Sequence, residues 1–299
     1  MSRTSTASSS RRNSADEGAV PAVPERPDEV RATLDALGVR PSKEWGQSFL
    51  TDPFVADAEA ALVELPPGRP VVEVGGGLGV LTAALVRRGL GPITVIERDR
   101  RLARFLSTTF GSRVRVVAGD ALTVPLPPAD AVVGNLPYSV ATPILLRLFA
   151  ARTPRVVFLV QREVAERLAA GPGSKTYGRL SIIARLYGSL ELFRTVGPDA
   201  FTPQPEVASR IGVHVARTGH LPVPSVPAFE EMLRQLFSSR RKQLANLLPR
   251  VKPRGEGLDE IARRAGWPTD WHHRRPEELP PEAYFALAHA LSDRPPSPP

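Results

Sequence analysis

The segment Asn135-Leu136-Pro137-Tyr138 carries the groups in this chain that are best suited to chemistry on a planar base. The Asn135 side-chain oxygen and the Leu136 carbonyl can each accept one hydrogen of an amino group, and Pro137 fixes the turn that aims this carbonyl. An adenine amino nitrogen is a poor nucleophile because its lone pair is delocalised into the ring, and two acceptors favour its pyramidal form. Tyr138 can stack on the base. The segment predicts methyl transfer to an amino group, and the alternative is an ordinary turn.

A glycine-rich turn upstream predicts the methyl donor. Glu73 is followed by the pattern Gly75-Gly-Gly77-Leu-Gly79, between an apolar run and a helical pattern, where glycines allow a sharp turn and a close approach to a ligand. A dinucleotide fingerprint is disfavoured because Val80 occupies its third glycine position. An acid followed by Gly-x-Gly-x-Gly is the arrangement of enzymes that bind S-adenosylmethionine. Gly75 and Gly77 are therefore predicted to contact this cofactor, and the alternative is a tight turn without a ligand.

Two further acids follow predicted strands. Glu97 lies 22 positions after Gly75, where a carboxylate can accept hydrogen bonds from both ribose hydroxyls of a bound nucleoside. Asp120 follows the next strand and can accept a hydrogen bond from an adenine amino group at the same crevice. The alternative for Glu97 is a solvated carboxylate beside Arg98 and Asp99. Acids at the ends of successive strands strengthen the prediction of a nucleoside site.

The elements that must position these residues alternate along the chain. Asp52 is predicted to cap the first helix, and Pro53 is predicted to be its first residue. Strands separated by helices imply right-handed crossovers and a mainly parallel sheet that is covered on both faces, a doubly wound α/β fold. The predicted strands cover residues 70–74, 93–97, 113–118, 131–134 and 156–160. The predicted helices cover residues 54–65, 81–88, 100–109 and 162–170, and Thr142-Pro143 opens another.

The composition divides the chain into three parts. Residues 1–27 are rich in Ser, Arg and Pro and are expected to form a disordered tail. Residues 28–217 are predicted to form a Rossmann-like methyltransferase domain. Residues 218–299 carry no strand-like run and are predicted to form a small helical RNA-binding domain whose proline-rich end is disordered.

The composition also excludes some function classes. The chain has no cysteine, so disulfides, zinc-cysteine sites and iron-sulfur clusters are excluded, and no metal site is expected. The formal net charge of +8 favours a polyanionic partner such as nucleic acid, because Lys and Arg release counterions from phosphates. No apolar run of membrane-spanning length occurs, so we expect a cytoplasmic protein with no membrane partner.

Several motifs together resemble the rRNA adenine dimethyltransferase family. Besides Asn135-Leu-Pro-Tyr138, the segments Gly46-Gln-Ser-Phe-Leu50, Ser174-Lys-Thr-Tyr-Gly-Arg-Leu-Ser181 and Phe201-Thr-Pro-Gln-Pro-Glu-Val207 match the family, so the resemblance runs nearly end to end. The chain departs from the family pattern at two positions. Ser48 stands where Asn or His is usual, and a glycine replaces the common proline at position 76. Neither departure removes a catalytic group.

The resemblance implies a role for each matching residue. Phe201 would stack on the target adenine opposite Tyr138, and the alternative is a core phenylalanine before a proline-rich turn. S-adenosylmethionine is the implied cofactor, and Ser48 with its shorter side chain would contact it through water. The residues implied to contact this cofactor are Ser48, Leu50, Gly75, Glu97, Asp120 and Asn135.

The C-terminal motifs resemble the small-subunit, KsgA-like branch of the family. Phe237–Leu248 places Arg240, Arg241 and Lys242 at a predicted helix start, and Arg275-Pro-Glu-Glu-Leu279 adds to the match. The resemblance implies dimethylation of two adjacent adenosines in the 3′-terminal hairpin loop of small-subunit rRNA during ribosome biogenesis. The expected partners are this rRNA and the pre-ribosomal small subunit, and we expect a monomer. Basic residues here would contact phosphates, although any single one also fits a solvated helix face.

Three other functions stay open from the sequence. An Erm-like enzyme would methylate large-subunit rRNA and confer antibiotic resistance, but the developed C-terminal segment disfavours it. A non-catalytic ribosome assembly factor would keep the fold without turnover, but the intact acids and the Asn-Leu-Pro-Tyr segment disfavour that. A DNA adenine methyltransferase would share this four-residue segment alone.

Overall fold

A seven-stranded sheet forms the centre of the protein. The structure is a computed structural model that describes residues 20–42, 47–251 and 256–292. The strands of the central sheet are β2 (Val71–Val74), β3 (Ile93–Glu97), β4 (Val114–Ala118), β5 (Ala131–Asn135), β6 (Arg155–Gln161), β7 (Gly188–Val196) and β9 (Ser209–Ala216). A separate two-stranded sheet pairs β1 (Phe49–Leu50) with β8 (Phe201–Thr202) in antiparallel fashion.

Ten α-helices are present in the part of the chain that the structure describes. They are α1 (Pro27–Ala36), α2 (Pro53–Ala61), α3 (Val80–Arg87), α4 (Arg100–Phe110), α5 (Ala141–Ala150), α6 (Arg162–Ala169), α7 (Arg179–Tyr187), α8 (Val226–Leu236), α9 (Leu258–Arg264) and α10 (Pro281–Ala290). Asp52 caps α2 as predicted, because its carboxylate accepts the backbone N–H groups of Phe54 at 2.8 Å and Val55 at 3.4 Å.

The strand order of the sheet is β4-β3-β2-β5-β6-β9-β7. The first five strands are parallel, as the alternation of strands and helices predicted, whereas β9 pairs with β6 and β7 in antiparallel fashion. The chain leaves β2 towards β3 on one side and later returns to β5 on the other. A crevice outside the carboxyl ends of the strands opens at such a reversal, which is where ligands bind in open α/β sheets.

Two apolar cores cover the two faces of the sheet, because successive residues of a strand point to opposite sides. Val72 and Val132 belong to the core that α5, α7, α8 and α10 complete. Val71 and Val133 belong to the core beneath α2, α3 and the buried side of α4. A third cluster joins α1 to Phe49 at the rim of the sheet.

The predicted boundaries agree with the structure to within a few residues in the parallel part of the sheet. The antiparallel strands β7 and β9 were not predicted. The predicted helix start at Arg240 to Lys242 is wrong. Residues 237–239, 244–246 and 248–250 form single 3-10 turns, and residues 240–242 lie in the turn and bend between the first two of them.

The N-terminal boundary also differs from the expected tail of residues 1–27. Val20 and Val23 pack against the core beneath α2 and α3, and α1 begins at Pro27. Residues 20–26 are thus part of the packed protein because these two apolar side chains find partners there. The expectation for residues 1–19, and that for the proline-rich end after Ser292, falls outside the described residues, as does Gly46.

The C-terminal helices share one core with the sheet. Three of the motifs named above meet here, since Arg240 forms a 3.0 Å ion pair with Glu277 and donates to the carbonyl of Lys175 at 3.1 Å. The hydroxyl of Tyr177, which is fully buried, donates to the carbonyl of Leu279 at 2.9 Å. This ion pair and these hydrogen bonds connect the segment after residue 218 to the loop before α7.

Tyr177→Phe should lower the free energy of unfolding by about 1–3 kcal/mol, because it leaves the buried Leu279 carbonyl without its donor. Urea unfolding followed by circular dichroism measures this change. Ser174→Ala is the matched control, since it removes an exposed hydroxyl that donates to Gly171 at 2.8 Å and should cost less than about 0.5 kcal/mol. Equal effects of the two substitutions would contradict the anchoring role of Tyr177.

Candidate active site

A cavity of about 250 Å³ lies at the carboxyl ends of β2, β3, β4 and β5. The topology brings together the predicted cofactor residues and the Asn-Leu-Pro-Tyr segment around it. The predicted residues that line the cavity are Ser48, Leu50, Gly75, Gly77, Glu97, Asp120, Asn135, Leu136, Pro137 and Tyr138. Of the predicted site residues, Phe201 alone is absent from this lining.

The glycine turn brings its backbone close to the walls of the cavity. Gly75 has a φ of 80° and Gly77 a φ of 54°, both in the left-handed region that favours glycine. A Cβ at Gly75 would lie 3.6 Å from the Asn135 carbonyl oxygen, and one at Gly77 would lie 3.2 Å from Cδ1 of Phe49. A side chain at Gly75 would fill space towards the end of β5, and one at Gly77 would fill space towards β1, so glycine keeps both parts of the cavity open.

Gly76 has a different reason to be glycine. A Cβ at this position would lie 2.5 Å from Cγ1 of Val95 and 2.8 Å from Cδ1 of Leu106. Both neighbours are buried in the core beneath α3 and α4. The departure from the usual proline is therefore matched by the packing of this chain, in which strand β3 and helix α4 occupy the space of a side chain at position 76.

Glu97 is held from two sides at the end of β3. One carboxylate oxygen accepts the Gly77 N–H at 3.0 Å and the other accepts the Asp99 N–H at 2.9 Å. Burial raises the pKa of Glu97, and these backbone hydrogen bonds oppose the rise. Each oxygen keeps a lone pair that can accept a hydroxyl hydrogen, so the geometry fits the ribose contact predicted for this residue.

Asp120 reaches the cavity from the end of β4. One of its oxygens accepts the Leu122 N–H at 2.9 Å, and the other lies 3.6 Å from Nε of Arg98. The backbone bond fixes the carboxylate at the cavity wall. An oriented acceptor at this position suits a ring amino group.

Two buried acids, Glu73 of β2 and Glu59 of α2, interact electrostatically, and the sequence analysis named only Glu73. Glu73 is fully buried, and one of its oxygens accepts the Thr82 hydroxyl at 2.7 Å while the other has no hydrogen-bond partner among the described residues. Glu59 of α2 is also fully buried, and neither of its carboxyl oxygens has such a partner. Burial and the charge of Glu73 raise the pKa of Glu59 to about 8. Burial, together with the charge of Glu97, raises the pKa of Glu73 to about 7 against the lowering effect of Thr82.

The segment after β5 forms a closed turn. The Leu136 N–H donates to the carbonyl of Leu159 at 3.1 Å, which continues the pairing with β6. The Val140 N–H donates to the Pro137 carbonyl at 3.1 Å, so the turn ends there. Asn135 remains at the cavity because it is the last residue of β5.

Tyr138 stands at the cavity with its hydroxyl 2.6 Å from the hydroxyl of Ser209. Burial raises the pKa of Tyr138 above that of a free tyrosine, and the hydrogen bond with Ser209 partly opposes this. Ser209 is fully buried and belongs to β9, a strand that the sequence analysis missed. No local signal in the sequence marked Ser209 as a partner of Tyr138.

The two-stranded sheet closes one side of the cavity. Leu50 pairs with Phe201, and the Ser48 hydroxyl donates to the Pro203 carbonyl. Phe201 is only 1% exposed and packs in the core beneath α2 and α3. The alternative of a core phenylalanine describes this position, and the stacking of Phe201 on a base stays a prediction.

Neither a metal centre nor a membrane span emerges from residues 20–42, 47–251 and 256–292. No group of three or more histidine and acidic side chains in these ranges is placed to hold a metal ion. None of the helices there has both the length and the apolar character to cross a bilayer.

The fold and the site together define an S-adenosylmethionine-dependent methyltransferase. The Rossmann-like sheet gathers the glycine turn at the end of β2, a carboxylate at the end of β3 and another at the end of β4 around one cavity. The chain belongs to the ribosomal RNA adenine dimethylase family, whose profile matches residues 39–263.

Individual relatives agree with this assignment. The chain is 40% identical over 272 residues to the ribosomal RNA small subunit methyltransferase A of Deinococcus radiodurans, covering 89% of this chain and 90% of that protein. Its fold is similar to the crystal structure of the 23S rRNA methyltransferase ErmE, with a TM-score of 0.64, 27% identity, and coverage of 81% of this chain and 99% of ErmE. A dimethyladenosine transferase from Plasmodium falciparum shares the fold, with a TM-score of 0.69, 22% identity and coverage of 80% and 95%.

Glu59→Gln should reduce the loss of stability that accompanies a rise in pH. A carboxyl whose pKa is raised by folding stays protonated in the folded protein, whereas the unfolded chain ionises it. The contribution of Glu59 to the free energy of unfolding is complete below about pH 4.5. It is lost as the pH rises towards about 8, by an amount on the order of 3–5 kcal/mol. Urea unfolding at pH 5, 6, 7 and 8 measures this dependence.

The matched control for this measurement is Glu163→Gln. Glu163 is an exposed residue of α6, so its substitution should leave the pH dependence of the wild-type protein in place. An unchanged pH slope in Glu59→Gln would show that Glu59 ionises normally in the folded protein.

Proposed function

We propose that this protein transfers methyl groups from S-adenosylmethionine to the 6-amino groups of two adjacent adenosines in the 3′-terminal hairpin loop of small-subunit rRNA, giving dimethyladenosine. The observation that carries the proposal is the meeting of Asn135 and Tyr138 with the glycine turn, Glu97 and Asp120 around one cavity. The relative from Deinococcus radiodurans is named for small-subunit rRNA, which favours that substrate over large-subunit rRNA.

Asn135 at the end of β5 and the residues directly after it supply the chemistry on the base. The Asn135 side-chain oxygen and the Leu136 carbonyl accept the two amino hydrogens and favour a pyramidal nitrogen whose lone pair is free to attack. The Val140 N–H already occupies the Pro137 carbonyl, so that carbonyl serves the turn rather than the substrate. Tyr138 offers its ring to the base at the cavity edge. No strong general base is required, because positioning and electrostatics lower the barrier.

The cofactor residues orient the methyl donor. Glu97 accepts the ribose hydroxyls, Asp120 accepts the adenine amino group, and Gly75 and Gly77 leave room along the turn. When bound, S-adenosylmethionine supplies an electrophilic methyl group on a sulfonium. Ser48 hydrogen-bonds the Pro203 carbonyl and so holds the β1 segment at the cavity wall.

The basic C-terminal segment supports an RNA partner. Arg241 and Lys242 are exposed and can contact phosphates, whereas Arg240 is engaged with Glu277 and Lys175 and serves the fold. A splayed single-stranded loop suits the cavity, because an adenine inside a helix cannot present its amino group to Asn135. We propose that residues 28–217 carry the transfer chemistry and residues 218–299 contact RNA.

The proposed setting is ribosome biogenesis in the cytoplasm, with a monomer acting on the pre-ribosomal small subunit. The family assignment and the net charge of +8 support a ribosomal RNA partner. A particle rather than naked RNA would present the 3′-terminal loop together with neighbouring phosphates for the exposed basic residues.

The test is transfer of labelled methyl from S-adenosylmethionine to small ribosomal subunits that lack the modification, followed by mapping of the modified nucleosides. Dimethyladenosine at two adjacent positions near the 3′ end is the expected result. Large ribosomal subunits serve as the control substrate and should acquire no label. Label in the large subunit alone would point to an Erm-like resistance enzyme, and cofactor binding without transfer would point to an assembly factor.

Asn135→Ala should reduce methyl transfer at least about 100-fold, because one acceptor for the reacting amino group is lost. S-adenosylmethionine binding should be weakened but retained, since Glu97 and Asp120 remain in place. Single-turnover transfer measures the first effect, and calorimetric titration with the cofactor measures the second. Full transfer activity in this variant would refute the mechanism.

A further inference from the structure

We infer that Ser209 is a positioning residue for methyl transfer, which holds the Tyr138 ring at the cavity edge through the 2.6 Å contact between their hydroxyls. The inference rests on the proposed function and deepens it, because it assigns a residue that fixes the surface on which the target base stacks. Ser209 acts through Tyr138 and is not among the residues that line the cavity.

Ser209 is held more firmly than Tyr138. It is the first residue of β9 and lies between two strands, in register with Gln161 of β6 and Val196 of β7. The Arg162 N–H also donates to the carbonyl of the preceding Ala208 at 2.9 Å. Ser209 is fully buried, so its hydroxyl is kept away from competing water. These contacts make Ser209 a fixed point in the sheet.

Tyr138, in contrast, needs an anchor. It lies three residues beyond the end of β5, in a turn, and its side chain is only half-buried at the cavity. A ring held only by its Cβ would sample several rotamers, and each misplaced rotamer costs stacking and alignment of the amino nitrogen. A hydrogen bond at the far end of the ring fixes both ends of the side chain.

The phenol does not act as a proton acceptor at neutral pH. Burial raises the pKa of Tyr138, so the hydroxyl stays protonated and can share one hydrogen with Ser209 in either direction. A neutral, anchored ring serves stacking rather than proton transfer. The Ser209 hydroxyl is therefore expected to affect the placement of the RNA base and not the binding of the cofactor.

The kinetic test compares Ser209→Ala, Ser209→Cys and Tyr138→Phe with the wild-type protein on unmodified small subunits. Ser209→Ala and Tyr138→Phe each remove the same hydrogen bond, and each should lower kcat/KM for the subunit about tenfold while the KM for S-adenosylmethionine stays within about twofold. The double variant should lose no more than either single variant, because both substitutions break one shared contact.

Ser209→Cys separates the hydrogen bond from simple packing. A thiol fills the space of the hydroxyl but is a weak donor and acceptor, so this variant should resemble Ser209→Ala in kcat/KM although it leaves no cavity. Wild-type kcat/KM in Ser209→Cys would overturn the inference, as would losses that multiply in the double variant.

A spectroscopic measurement tests the anchor without turnover. The chain has four tyrosines, so ¹³C labelling at tyrosine Cζ gives four resonances, and the one lost in Tyr138→Phe belongs to Tyr138. In Ser209→Ala this resonance alone should shift. An unmoved Tyr138 resonance would overturn the inference. If the wild-type protein transfers no methyl group to small subunits, the proposed function is contradicted. The Tyr138 resonance would then still show whether the Ser209 hydroxyl contacts Tyr138.

Discussion

The site depends on one close approach between two backbones, where β2 and β5 run side by side at the reversal of the sheet. A Cβ at Gly134 would lie 2.5 Å from the Val74 carbonyl oxygen, so this contact tolerates no side chain. One residue further along each strand, Gly75 faces the Asn135 carbonyl. The glycine turn and the Asn-Leu-Pro-Tyr segment are therefore neighbours, because the strands that precede them, β2 and β5, are in contact.

Buried negative charge is the second organising constraint of the site. Glu97 receives two backbone N–H groups, whereas the deeper acids Glu73 and Glu59 receive one hydroxyl between them. Carboxyls without donors in an apolar setting are costly when ionised, so they favour the protonated form. Glu97 therefore has donors that favour its ionised form, whereas burial raises the pKa of Glu73 to about 7 and that of Glu59 to about 8.

The parallel half of the fold and most of the cavity were predictable from the sequence. Apolar strand runs alternate with helices there, and the carboxyl ends of parallel strands meet at one edge, which gathers Gly75, Glu97, Asp120 and Asn135. The antiparallel strands β7 and β9 were missed, and β7 is irregular, with a register shift between Leu192 and Thr195. Contacts such as that of Tyr138 with Ser209 join residues 71 positions apart, and no local pattern encodes them. The core packing of Phe201 is likewise visible only in three dimensions.

The continuous core between the sheet and the C-terminal helices limits how segments can be exchanged among relatives. Trp271 and Tyr284 belong to the same apolar cluster as Val132 and Phe158 of the sheet. A chimera joined near residue 218 would cut through a single packed interior rather than a linker. A folded unit of exchange must therefore include α7, which packs against both α8 and α10.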